Sequence, residues 1–353
     1  MDRRRFIEGA GALGAGLVLA PTEALAAPMG RRDRKIAALE QEIAVLQAEI
    51  AALRGAKGAL DLGIWPGSLP DAAFVAAAPD GYPGVDTEEL LWWETFLGRA
   101  FSMYRERGRV GQFDAPMVKH PEDFIPRRFS GNLNFRTGLG ADKTAVPYAD
   151  VLAGSWDDEL AGWGRELAAL GAAGINEIQS EANIGHGGAQ PSSGTPAEYQ
   201  RAAPYVRSAL RAAGATRILH GMSLTVHLYQ SSEWEQYYWD EADFVAVDGY
   251  REAWGPNPND VADFQGAIAV ARQVGRPLYI TEIGASEPGK DAFYEDLLTF
   301  AKAYAGDPLA GIVFNLSADG PSGAADPPGW APVTSDAALA AFRRLVNDPV
   351  FAP

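Results

Sequence analysis

The chain has 353 residues, of which 47% are hydrophobic, and it carries 46 acidic against 30 basic side chains for a formal charge of −16. That length suffices for one large barrel domain with a sizeable core and some further sequence at an end. The acidic excess works against nucleic-acid phosphates and anionic bilayers as partners, because both call for basic patches, and the absence of cysteine excludes disulfides and thiolate metal sites.

Residues 1–26 read as a targeting segment. Arg3-Arg4-Arg5-Phe6-Ile7 precedes an apolar stretch from Gly9 to Ala20, and Ala24-Leu25-Ala26 fits the small-x-small rule of a signal peptidase. This resembles a twin-arginine export signal, which implies cleavage after Ala26 and a secreted, cell-surface or periplasmic protein. The alternative is a short membrane anchor, but the apolar run falls short of the roughly 20 residues a spanning helix needs. No stable membrane insertion is expected after cleavage.

Residues 27–58 form the next expected unit, a coiled-coil helix and hinge. Ile36, Leu39, Ile43, Leu46, Ile50 and Leu53 alternate three and four apart, with isoleucine at every a position and leucine at every d position. That pattern favours a parallel two-stranded coil and hence a homodimer through residues 35–54. The alternative is a helix folded back on its own barrel, since so short a coil is marginal by itself. Gly55-Ala56-Lys57-Gly58 reads as the hinge.

From residue 59 to 353, short apolar runs alternate with amphipathic stretches, the pattern of a parallel sheet covered by helices. Strands are predicted at Leu60–Trp65, Ala100–Tyr104, Gly131–Arg136, Ile175–Glu181, Ile218–Val226, Phe244–Asp248, Leu278–Glu282 and Gly311–Asn315. Helices are predicted at Thr87–Leu97, Trp156–Leu170, Pro196–Ala213, Val261–Val274, Asp291–Ala305 and Ser335–Asn347. The second crossover, around Pro116–Arg128, reads as loop, and the fifth must come from the aromatic stretch Ser232–Asp240. This count fits an α/β fold of the (β/α)8 TIM-barrel class behind a short coiled-coil helix. No dinucleotide fingerprint or phosphate loop opens a helix, so no cofactor is expected and an open nucleotide-binding sheet is the weaker alternative.

In such a barrel, chemistry belongs to the C-terminal ends of the strands. Ile175-Asn176-Glu177-Ile178-Gln179-Ser180-Glu181 brings Glu181 to the end of the fourth strand, and Pro277-Leu278-Tyr279-Ile280-Thr281-Glu282 brings Glu282 to the end of the seventh. Facing strands let both carboxyls converge over the mouth. Retaining cleavage of a glycosidic bond needs such a pair about 5–5.5 Å apart, one as proton donor and one as nucleophile. The competing reading for each glutamate is a solvated loop residue or a structural ion pair. Glu177, four residues before Glu181, points into the barrel deeper down, where a buried barrel arginine is its expected partner.

Three segments carry a family resemblance. Ser180-Glu181-Ala182-Asn183, the run from Tyr237 through Asp248-Gly249-Tyr250, and Arg276 to Gly284 resemble glycoside hydrolase family 26, the β-mannanase family of retaining glycosidases. The resemblance implies Glu181 as acid/base, Glu282 as nucleophile, Tyr250 as a hydrogen-bond donor that holds the nucleophile ionised, and Asn183 as a sugar-positioning residue. It further implies a polysaccharide or oligosaccharide substrate of β-mannan, β-glucan or xylan type. The family's histidine before the acid/base is Ser180 here, and Ile184-Gly185-His186-Gly187-Gly188 replaces its tryptophan-rich loop.

Further candidates for sugar contact are Trp65, Tyr229, Trp234, Trp254, Trp330, His186, His227 and Arg136, all near predicted strand ends. Trp92, Trp93, Trp156 and Trp163 sit in predicted helices and read as core. The four histidines have no metal-binding spacing, so no metal site is expected. Arg251 could contact substrate or support the carboxylates, and Asp248 reads as structural although it is a third carboxyl at the rim. Two other functions compete: an inactive sugar- or wall-binding barrel displayed by the coil, and a partner-binding protein in which the coil matters most. A serine hydrolase is disfavoured, because no Gly-x-Ser-x-Gly elbow is present.

Overall fold

The computed structural model describes residues 59–65, 86–109, 127–137, 144–183, 193–251, 261–286, 288–316 and 335–352. They belong to the second of two units, Ala56–Pro353. The expected signal segment, the coiled coil and the Pro116–Arg128 crossover up to residue 126 lie outside the described residues.

Among the described residues, eight parallel strands close into a barrel. In chain order they are β1 (Asp61–Trp65), β2 (Met103–Arg109), β3 (Arg128–Asn134), β4 (Gly174–Ile178), β5 (Ile218–Thr225), β6 (Val245–Arg251), β7 (Leu278–Ala285) and β8 (Leu309–Asn315). Each strand pairs with its sequence neighbour, and β8 closes on β1 in the register Asp61↔Gly311 to Trp65↔Asn315. The fold is therefore the (β/α)8 barrel expected from the strand count.

The helices follow from apolar faces that pack on the barrel. They are α1 (Asp86–Leu97), α2 (Tyr148–Leu152), α3 (Asp157–Ala169), α4 (Pro196–Ala212), α5 (Gln265–Val274), α6 (Lys290–Tyr304) and α7 (Asp336–Val346). At α4 the Thr195 hydroxyl accepts from Glu198 N while the Glu198 carboxylate accepts from Thr195 N, and Pro196 takes the first turn. This capping box ends the loop sharply where the helix starts. The fifth crossover is two 3₁₀ turns, Val226–Gln230 and Ser232–Gln236, and the predicted helix at Val261 begins as a 3₁₀ turn, Val261–Phe264.

Two apolar layers result from strand alternation. The outward faces of the strands and the helices share a large core that includes Trp93, Trp163, Leu62, Ile64, Val245, Val247 and Phe314. Inside the barrel, Met103, Ile175, Phe244, Ala246 and Tyr279 form a separate apolar cluster at the N-terminal side. One pleat further along the same faces the residues become Arg105, Glu177, Asp248 and Thr281, all buried. A dry floor thus supports a polar layer below the barrel mouth.

Several predicted boundaries shift. β2 begins at Met103 rather than Ala100 and runs on to Arg109; β3 spans Arg128–Asn134 rather than Gly131–Arg136. Arg136 instead opens a two-residue ribbon, Arg136–Thr137 with Thr144–Ala145. β4 ends at Ile178, not at Glu181.

Candidate active site

Beyond Ile178 the chain leaves β4 through a strained turn. Gln179 and Glu181 adopt φ of 62° and 49°, the left-handed region that non-glycine residues avoid. Such strain persists only where surrounding contacts over-determine it. Here Gln179 N donates to Leu133 O at 2.8 Å, its side-chain Oε1 accepts from Phe135 N at 2.9 Å, and Ala182 N donates to Ser223 O at 3.1 Å. Asn183 completes the clamp: its Nδ2 donates to Thr225 Oγ1 at 2.7 Å and its Oδ1 accepts from Thr225 N at 3.1 Å. Glu181 is held partly exposed between β3 and β5.

Glu282 is placed by a different device. On β7 the pairing with β6 jumps from Val247↔Ile280 to Asp248↔Glu282, and the pairing with β8 jumps from Ile312↔Ile280 to Phe314↔Ile283. An extra residue on β7 against both neighbours is a β-bulge, which re-aims side chains. It lets the consecutive residues Thr281 and Glu282 both reach groups at the mouth. Thr281 Oγ1 donates to Asp248 Oδ1 at 2.8 Å, while Glu282 Oε2 accepts from the Tyr250 hydroxyl at 2.6 Å and Oε1 from Arg105 Nη2 at 2.9 Å. Glu282 is 6% exposed. A guanidinium and a hydroxyl donor on its two oxygens favour the ionised carboxylate.

These two donors are themselves fixed. Arg105 is fully buried, and its guanidinium forks onto Glu177 at 2.5 and 3.3 Å. Glu177 is therefore the partner of a buried barrel arginine, as its parity on β4 implied. The Tyr250 oxygen accepts from Asn315 Nδ2 at 3.0 Å. Asp248, 1% exposed, accepts from Ser180 Oγ at 3.0 Å and Ser223 Oγ at 3.1 Å besides Thr281. Burial first, then the Glu177 and Glu282 charges, push the Asp248 carboxyl well above its ordinary range, with Arg105 opposing. Glu181 adds to the same push, which puts it within electrostatic reach of Asp248.

Glu181, Glu282, Tyr250 and Asn183 thus gather at one end of the barrel. Trp65, partly exposed, ends β1 opposite Asn315. His227 is exposed on the 3₁₀ turn after β5. Tyr229 and Trp234 are corrected to core: both are buried, and the Tyr229 hydroxyl donates to Ala246 O at 2.6 Å. Arg251 donates to Gly289 O at 2.5 Å, bracing the loop before α6. His186, Trp254 and Trp330 lie outside the described residues. Among the described residues no group of three histidine, aspartate or glutamate side chains is arranged to hold a metal ion.

Sequence reasoning missed Arg105, Asn315 and the hydroxyls of Ser223 and Thr281. Arg105 could have been found: it follows Met103 by two, on the same face of the strand, and a buried Glu177 demands a cation.

No protein-family model matches the sequence, and no curated protein is significantly similar to it. Solved structures do match. A GH26 β-mannanase from Bacteroides ovatus aligns with a TM-score of 0.58 at 13% identity, over 85% of this chain and 92% of that one. The catalytic domain of a GH26 endo-β-1,4-mannanase from Bacillus sp. JAMB-750 gives 0.59 at 14% identity, over 86% and 89%. A modular endo-β-1,4-mannanase from Cellulomonas fimi gives 0.59 at 16% identity, over 86% and 74%. What they share with this chain is the barrel. At such low identity the likeness extends to the fold alone.

Proposed function

We propose that this protein is a retaining glycoside hydrolase acting on a β-linked polysaccharide or oligosaccharide. The observation that carries the reading is Glu282, gripped by Arg105 and Tyr250 on the β7 bulge, at the same barrel end as Glu181 on its strained turn. In this mechanism the Glu282 carboxylate attacks the anomeric carbon while Glu181 gives its proton to the departing glycosidic oxygen. Water then attacks the glycosyl ester as Glu181 takes a proton back, and Glu282 leaves as carboxylate. The Arg105 and Tyr250 donors keep the nucleophile aligned through both steps. The names of the three structural neighbours described above, each a β-mannanase, support a β-mannan type substrate. The departures at Ser180 and after Asn183 leave glucan and xylan in the panel to be tested.

The test is hydrolysis of β-mannan, β-glucan, xylan and aryl β-glycosides by the mature protein beside Glu181→Ala and Glu282→Ala, with the anomer of the first product read by NMR. Turnover with retention, lost in the Glu282 variant, is expected. Sugar binding without turnover on any substrate overturns the hydrolase reading in favour of a binding barrel. The export signal and the coil supply the remaining proposal: a protein exported after cleavage at Ala26 and paired through residues 35–54. Sedimentation of the mature protein as a dimer, reduced to monomer by Ile43→Lys with Leu46→Lys, is the expected outcome.

A further inference from the structure

The lumen face of β3 is lined by Ser130, Asn132 and Asn134, all buried. Their direction follows from register. Arg105 pairs with Ser130 and Glu177 with Asn132, and paired residues of parallel strands share a face. Because Arg105 and Glu177 meet across β3 inside the barrel, the β3 residues between them face the lumen too. Asn134 stands one pleat above Asn132, level with the turn that carries Glu181.

Asn134 Nδ2 donates to Asn132 Oδ1 at 3.2 Å, which leaves Asn134 Oδ1 without a partner among the described residues. The residue is 6% exposed, as Glu282 is. A buried acceptor left unmade costs on the order of 1–3 kcal/mol, and such a group in a native fold calls for an explanation. Ser130 Oγ and Asn132 Nδ2 below it lack partners among the described residues as well, but they lie deeper, at 0% and 1% exposure. Asn134, at the C-terminal end of β3, is the member of the column nearest the mouth.

We infer that Asn134 is a specificity-determining residue whose side-chain amide takes one hydroxyl of the sugar seated beside Glu181. The inference rests on the hydrolase reading above and names a contact within that site. The sugar hydroxyl donates to Oδ1, with no covalent step involved. A site with a buried acceptor aimed at a hydroxyl discriminates against a substrate lacking it, because the acceptor is then stranded.

The experiment compares wild type, Asn134→Ala and Asn134→Leu on 4-nitrophenyl β-mannobioside and β-cellobioside and on their singly deoxygenated forms. Each enzyme's kcat/KM ratio between parent and deoxy substrate is independent of how much protein is folded. Deoxygenation effects on the transition state itself cancel between enzymes. At one hydroxyl, wild type is expected to discriminate by about 10- to 100-fold, and both variants to lose that discrimination while keeping it at the other positions. Variants that keep every ratio, even with lowered activity, overturn the inference and leave the hydrolase reading standing. A wild type with no turnover overturns the hydrolase reading instead. Calorimetry with mannotetraose and cellotetraose then judges Asn134: weaker binding to Asn134→Leu supports it, whereas equal binding, or none to wild type, overturns it.

Discussion

Three carboxyl groups, those of Glu177, Glu282 and Asp248, share the surroundings of one guanidinium, that of Arg105, and Glu181 lies within electrostatic reach of Asp248. With those three ionised the layer would hold three negative charges against one positive. Arg105 is committed to Glu177 and Glu282, so Asp248 is the member whose carboxyl is pushed well above its ordinary range, toward the neutral acid. A neutral amide of the same shape should then replace it. Asp248→Asn is expected to keep kcat within about threefold and to leave the pH profile of kcat/KM superimposable. Asp248→Ala strands the Ser180, Ser223 and Thr281 hydroxyls, each of which flanks or supports a glutamate turn, and is expected to lower kcat by about 100-fold. Steady-state kinetics across pH decide this; an Asn variant as damaged as the Ala variant would mean that the ionised form is required. Removing Glu177 leaves Arg105 buried against Glu282 alone. Glu177→Ala is expected to cost about 3–5 kcal/mol in denaturant unfolding, as for other broken buried pairs. The two site glutamates were legible because each closes an apolar run, and Glu177 because its parity buries it. Arg105 was missed because the second strand was ended one residue short of it, at Tyr104.

At the scale of elements, helices were far more legible than strand ends. α1, α3, α4, α6 and α7 lie within a residue of their predicted bounds; at α4 and α7 an amphipathic face and a capping side chain, Thr195 and Ser335, mark both register and start. Strands of this barrel are buried on both faces and carry no alternating pattern to fix their limits. For that reason β2 and β3 begin three residues from their predicted starts, and β2 runs five residues past its predicted end. The bulge on β7 left no signature at all, since one extra residue in a wholly buried run, Leu278–Ala285, changes neither composition nor length visibly. The fifth crossover, expected from the stretch Ser232–Asp240, is two 3₁₀ turns tied down by the buried Tyr229 and Trp234. The α4 cap offers a test free of the chemistry. Thr195→Ala removes the hydroxyl that accepts from Glu198 N and is expected to lower stability by about 1 kcal/mol. Turnover should be unchanged, and a loss of activity exceeding the loss of folded protein would instead tie the loop before α4 to the site.

For the whole molecule, the barrel class was readable from eight apolar runs, while the expectations for residues 1–58 rest on sequence alone. What the sequence did not disclose is how the molecule depends on pH, because that dependence is set by burial. His220 on β5 is wholly buried, with its Nδ1 3.4 Å from the Asn176 amide and Ala215 as a backbone hydrogen-bond partner. Burial holds its pKa down to about 3 from 6.5; nearby Arg207 and Arg211 push the same way, and Asp243 opposes them. The folded protein therefore keeps His220 neutral where the unfolded chain would already bind a proton. Above pH 6.5 both states are neutral and the group is silent. As pH falls below 6.5 the unfolded state gains the proton, and stability is lost at up to about 1.4 kcal/mol per pH unit until the folded pKa is reached. Denaturant unfolding of wild type and His220→Gln between pH 7 and pH 4 isolates this contribution, since the titrating carboxylates are common to both. The variant is expected to be less stable at pH 7, where the packed imidazole is lost, and to close the gap steadily on acidification. Parallel curves would show that His220 takes up its proton without unfolding, through a local opening between β5 and the helices over it.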